Sequence, residues 1–193
     1  MSNLFATIPL LQSNLVPAGL ALPLLMARGF LVILLLVSGA DKLWQHEVFT
    51  GQMRNYRLLP HRLVPFAALA FPLAELVAAL VLASGLLGNA SGLPALALLS
   101  VATLAVAINL GRGRDHIDCG CGGPGGQPIS AAILGRNGLL MVLSVVAGFI
   151  PPFDHLTFVG GLLVALGSVL LASLYFLFNQ MIANHLRMLS ERA

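Results

Sequence analysis

The feature that most constrains this chain is a run of 36 consecutive residues, 76–111, without a single Asp, Glu, Lys or Arg. As one helix the run would measure roughly 54 Å, far more than a hydrocarbon core of about 30 Å, so it must reverse direction. Gly88-Asn89-Ala90-Ser91-Gly92 supplies turn-forming residues where that reversal falls. A second stretch, from His155 to Leu186, also lacks formal charge and holds another span. Charged residues are only 9% of the chain and hydrophobic ones 58%, with a mean hydropathy of +0.94; a soluble domain carries roughly 25% charge. The composition is that of an integral membrane protein.

The hydropathy pattern predicts five helices, at about 22–44, 63–87, 93–111, 130–150 and 156–182. Residues 1–21 are apolar but interrupted by Pro9, Gln12, Ser13, Asn14 and Pro17, which predicts an interfacial segment. No basic stretch opens the chain, so the first helix is expected to act as its own insertion signal. The longest polar connections, about 45–62 and 112–129, leave no room for a soluble domain, and residues 183–193 read as a short tail. The expected architecture is therefore all-α, one polytopic bundle with a four-helix core plus one further span. Lipid offers no partner for unpaired backbone groups, and no segment shows the alternation of a barrel strand.

With five spans, one face receives Lys42, Arg54, Arg57, Arg62, Arg112, Arg114, Arg136, Arg187 and Arg192, and the other only Arg28. The positive-inside rule places the basic face in the cytoplasm, and the pI of about 9.4 reflects cations at a membrane surface, not a nucleic-acid partner. The same count puts the two cysteines of the chain on the reducing side, where disulfides are rarely kept. Which face the cysteine loop uses is left open at this level.

Those cysteines stand one residue apart in Asp118-Cys119-Gly120-Cys121-Gly122-Gly123. Extended, such a pair separates its Cα atoms by roughly 7 Å, slightly beyond disulfide reach, so the backbone must turn to close a bond. Gly120 makes the turn accessible. A bridge over one residue closes almost no loop, which suits an exchangeable redox couple better than a staple. Arg112, Arg114 and His116 favour thiolate while Asp115 and Asp118 oppose it, so the sign of any shift stays undetermined. Two alternatives stand beside the redox pair: free thiols in a glycine turn, and a metal site using His116, Asp118, Cys119 and Cys121. Structural zinc usually adds a second ligand pair, and there is no third cysteine.

Arg28, Glu75 and Arg136 fall inside predicted spans, where ionisable groups face a partner or the protein interior. Counting helical rise from the basic face puts Glu75 about 18 Å deep, Arg28 about 21 Å and Arg136 about 9 Å. This predicts an ion pair between Glu75 and Arg28, with Arg136 snorkelling toward the cysteine loop and pairing with Asp118. Asn109 and Asn137 are expected to hydrogen-bond across the bundle, Ser130 to cap the fourth helix, and Pro72 to bend the second before Glu75.

Several of these residues also carry a resemblance. Ser38-Gly39 with Lys42-Leu43, Phe49, Asn55-Tyr56-Arg57-Leu58-Leu59-Pro60 and Pro72-Leu73-Ala74-Glu75, followed by Asn109-Leu110, Arg112-Gly113-Arg114, the Asp118-Cys119-Gly120-Cys121 loop and Arg136-Asn137, resemble in order and spacing the MauE methylamine utilisation family of DoxX-like membrane proteins. The resemblance spans about 28–140. It departs from the family pattern at Gly122-Gly123, where relatives carry an aromatic. What it implies is a multi-pass protein of the bacterial cytoplasmic membrane that helps mature the disulfide-rich small (beta) subunit of methylamine dehydrogenase beside a thioredoxin-like partner of the MauD type. Cys119 and Cys121 would be its redox pair. A membrane quinone is the expected electron carrier, with no covalently bound cofactor. The rival expectations are a non-enzymatic scaffold and a small-molecule transporter using Glu75 and Arg28.

Overall fold

The structure is a computed structural model that describes residues 18–114, 117, 129–149 and 157–190. Six helices follow one another: α1 (Ala18–Trp44), α2 (His46–Tyr56), α3 (Val64–Ser84), α4 (Leu93–Gly111), α5 (Ala131–Gly148) and α6 (Phe158–Ser190), with a single 3-10 turn at Gly88–Ala90. All but α2 are long and apolar enough to cross a membrane, and no strand occurs among the described residues. The protein is an all-helical, multi-pass membrane bundle.

The reversal within the uncharged run falls where turn chemistry places it. Gly85 closes α3 in the left-handed region (φ 67°) and returns its N–H to the Val81 carbonyl at 3.0 Å, and Gly88 follows at φ 53°. Side chains would be strained at both positions. Α Cβ on Gly92, just before α4, would run into the Ser144 carbonyl, and one on Gly148 would meet the Asn89 carbonyl. Small residues thus let the α3–α4 turn seat directly on α5, the usual means of close approach between membrane helices.

The helix α1 is the hub. It packs on α3, α5 and α6, while α4 leans on α5. Gly29 lies against Ser168 of α6, and Gly39 lies against the Pro72 carbonyl and Leu76 of α3. Around these contacts Phe30, Leu31, Leu34, Leu82, Leu140, Ala147 and Ala172 form the main buried cluster. Large side chains such as Leu80, Leu104, Leu139 and Phe178 remain exposed, as expected where the surrounding solvent is lipid.

Three local expectations are revised. The connection read as polar from 45 to 62 contains α2, whose residues Phe49 and Thr50 are buried; Phe49 stacks at a tilt on Phe71 of α3, ring centroids 6.3 Å apart. Its apolar face is too narrow to register as a span, and Trp44, 91% exposed at the α1–α2 corner, suits an interfacial anchor. The last helix runs to Ser190, eight residues past 182, because no Gly or Pro interrupts 168–190. Ser130 does hold the extended N-cap backbone of α5 (φ −149°, ψ 164°), but its hydroxyl makes no capping bond and is buried without a partner. Pro72 lies inside helix α3.

Candidate functional site

The cysteine-bearing segment is strung between two anchors. Ile117 accepts a backbone hydrogen bond from Ile129 at 2.9 Å, and both side chains are buried with Val106 and Ile133, Tyr56 packing alongside. The turn leading into it is pinned as well: Arg114 donates its N–H to the Asn109 carbonyl at 3.0 Å and its guanidinium reaches the Asn109 Oδ1 and the Asn55 carbonyl, each at 3.4 Å. His116, Asp118, Cys119, Gly120 and Cys121 lie outside the described residues. So do the redox pairing, the metal alternative and the Arg136–Asp118 contact that depend on them. What is described is the mooring of this segment at the end of the bundle that gathers α2, the end of α4 and the start of α5.

Deeper in the bundle, Glu75 finds a different cation from the one predicted. Lys42 Nζ lies 2.7 and 2.8 Å from its two carboxylate oxygens and also donates to Ser38 Oγ at 2.5 Å, while that hydroxyl donates to Glu75 Oε1 at 3.2 Å. Lys42 is 4% exposed and Glu75 7%. Arg28 is fully buried and donates from Nε and Nη2 to the Leu82 carbonyl at 2.9 and 2.5 Å. Among the described residues, the ion pair seen between α1 and α3 is Lys42–Glu75, in place of the Glu75–Arg28 pair predicted.

The reason is axial register. The two helices are antiparallel, with Gly39 beside Pro72 and Arg28 beside Leu82, so Arg28 sits seven residues, about 10 Å, from the level of Glu75. Side chains lean toward the N-terminus of their helix. In this antiparallel pair Lys42 and Glu75 lean toward one another, whereas Arg28 and Glu75 lean apart. Depth counting fails because α2 intervenes and the two helices do not begin at the same level.

Arg136 of α5 is held by neutral groups. Its Nε and Nη2 donate to Asn137 Oδ1 at 3.3 and 3.1 Å, Nη1 donates to Asn179 Oδ1 of α6 at 2.7 Å, and the guanidinium lies 6.0 Å from the Tyr175 ring centroid, within cation–π range. The cross-bundle polar contact assigned to Asn109 and Asn137 is thus made by Arg136 and Asn179. Asn109 instead donates to the Ala105 carbonyl of its own helix at 3.1 Å, and Asn137 serves its sequence neighbour.

These two charged sets face a common cavity of about 220 Å3 whose lining includes Ser38, Asp41, Glu75, Arg136, Asn137 and Asn179, with leucine and aromatic side chains around them. Sequence reasoning found Glu75 and Arg136 as site residues and missed Lys42, Ser38 and Asn179 in that role. Ser38 and Lys42 carried a usable signal, since a four-residue spacing sets them on one helical face. Asn179 carried only its polarity within the last span.

The family described as "Methylamine utilisation protein MauE" matches residues 20–151. "Methylamine utilization protein MauE" of Paracoccus denitrificans is 39% identical over 119 residues, covering 61% of this chain and 64% of the relative. The protein of the same name from Methylorubrum extorquens is 36% identical over 135 residues, covering 66% and 73%. The chain thus spans about two thirds of the length of these curated relatives, and α6, with Tyr175 and Asn179, lies beyond the family match. No solved structure gives a significant match. The cysteine segment, its two isoleucine moorings and the charged cavity up to α5 all fall inside the matched region, and the chain belongs to the MauE methylamine utilisation family.

Proposed function

We propose that this chain serves methylamine utilisation as the membrane component of a thiol–disulfide relay, working in the bacterial cytoplasmic membrane to help mature the small subunit of methylamine dehydrogenase beside a thioredoxin-like protein. The observation that carries the reading is the placement of the only two cysteines of the chain on a short segment moored by the Ile117–Ile129 backbone pair. Such a tether fixes both ends of the cysteine segment to the bundle, which suits exchange with a docking partner. In each exchange one thiolate attacks the partner's disulfide, a mixed disulfide forms, and the second cysteine displaces the partner thiol. The chain then holds an S–S bond, and the partner has taken up two electrons and two protons. The reverse direction uses the same steps.

Replacing Cys119 and Cys121 by serine is the deciding experiment. Under the relay, membrane levels of the variant stay normal and the dehydrogenase small subunit fails to acquire its disulfides. Normal client maturation would instead leave a scaffold that merely gathers partner and client. A membrane-impermeant thiol probe applied to intact cells then reports which face carries the segment.

A further inference from the structure

Arg136 has no carboxylate partner among the described residues. A guanidinium has five N–H donors; three are engaged by Asn137 and Asn179, and two remain. An ionisable group at membrane depth with unspent donors beside a cavity marks a binding site. The charged residues that line the cavity are Asp41, Glu75 and Arg136; Glu75 is already paired with Lys42, which stands behind the lining, so Asp41 balances Arg136 among the described residues. A balanced site with spare donors suits an uncharged head bearing acceptor oxygens better than a phosphate.

Access is from the side. Helices α5 and α6 both lean on α1 but hardly on each other. Between them runs a second cavity of about 490 Å3, almost wholly apolar, lined by Phe30, Leu139, Leu143, Phe178 and Ile182, and Arg136 and Asn179 line it too. Leu139 and Phe178 are 69% and 66% exposed, so this groove opens on the lipid face. The Arg136–Asn179 hydrogen bond lies where this apolar groove meets the more polar cavity, which is itself open at its rim beside Val37.

The geometry points to a site for a membrane quinone, its ring in the more polar cavity with a carbonyl oxygen on the N–H groups of Arg136 not engaged by Asn137 and Asn179, and its isoprenoid tail leaving through the α5–α6 groove. The ring would lie among Leu34, Phe71, Leu99 and Tyr175, and the guanidinium would stabilise the charge that builds on that oxygen during reduction. The redox role of the site rests on the relay proposed above; the binding site itself does not. In the oxidative direction Cys119 and Cys121 lose two electrons and two protons as their S–S bond forms, and the quinone takes up both pairs to become the quinol.

The test is photolabelling of the full-length protein in nanodiscs with an azido-substituted benzoquinone carrying a decyl tail. Label should map to peptides from α5 and α6 and be competed by unlabelled decyl-benzoquinone but not by phosphatidylglycerol. Arg136→Gln should weaken labelling about tenfold. Because that variant alters a buried network, Leu139→Trp provides a check at a lipid-exposed position: it should weaken the decyl probe to a similar degree and leave a tail-less azido-benzoquinone unaffected. Label elsewhere, competition by phosphatidylglycerol, or undiminished labelling in both variants would overturn the site. The doubly serine-substituted cysteine variant separates the two ideas: it should still take the label, and if it also supports client maturation, the relay fails while the quinone site stands.

Discussion

Glu75 and Arg136, two of the charged groups within this bundle, are met in opposite ways. Glu75 is met by a full opposite charge, with Lys42 bidentate on its carboxylate and Ser38 completing the set. Among the described residues, Arg136 is met only by amide oxygens and an aromatic face. A matched ion pair consumes its own field, so the first arrangement acts as a fastener between α1 and α3. Neutral amides position a cation without cancelling it, so the second keeps its field for something else.

Breaking the fastener should have the largest effect. Glu75→Gln alone leaves the Lys42 ammonium buried without its counter-charge and should cost about 3–5 kcal/mol, read as unfolding in detergent, whereas Lys42→Met with Glu75→Leu should recover most of the loss. If the double variant is no better than the single, the pair is not the fastener. Next in size, Gly92→Val pushes a branched side chain into the Ser144 carbonyl and should cost about 1–3 kcal/mol, visible as a lower Tm. Arg136→Gln should cost about 1–2 kcal/mol, since what is left behind is uncharged amide. A loss as large as that of Glu75→Gln would show that the amides, too, are a fastener. The smallest effect belongs to Asn179→Leu, about 0.6 kcal/mol for one interhelical hydrogen bond, with the larger consequence expected in the position of Arg136 and not in stability.

The contrast also explains what could be read from the residues in advance. Spans follow from uninterrupted apolar length, so the five crossing helices, the Gly88–Gly92 reversal and the single-bundle architecture were legible. Partner choice among buried charges was not, because it depends on axial offset. Helix α2 draws its stability from Phe49 against Phe71, a tertiary contact absent from local hydropathy, and by lying between α1 and α3 it offsets their ends. That displacement exchanges Arg28 for Lys42 as the partner of Glu75. Asn179 matters only once α6 is known to lie near Arg136. At Ser130 the residue type identified the N-cap position but not the hydroxyl's direction, which packing at the start of α5 decides.

The hub position of α1 has a consequence for assembly in the membrane. Chains are delivered from their amino-terminal side, so α1 is already embedded when α3, α5 and α6 emerge. Helices α3 and α6 find their main docking face waiting, and Glu75 enters the bilayer with its ammonium counterpart in residence. A ribosome stalled after α3 would therefore leave behind three helices in which the buried acid already has its cation, a foothold on which the remaining helices are added one at a time.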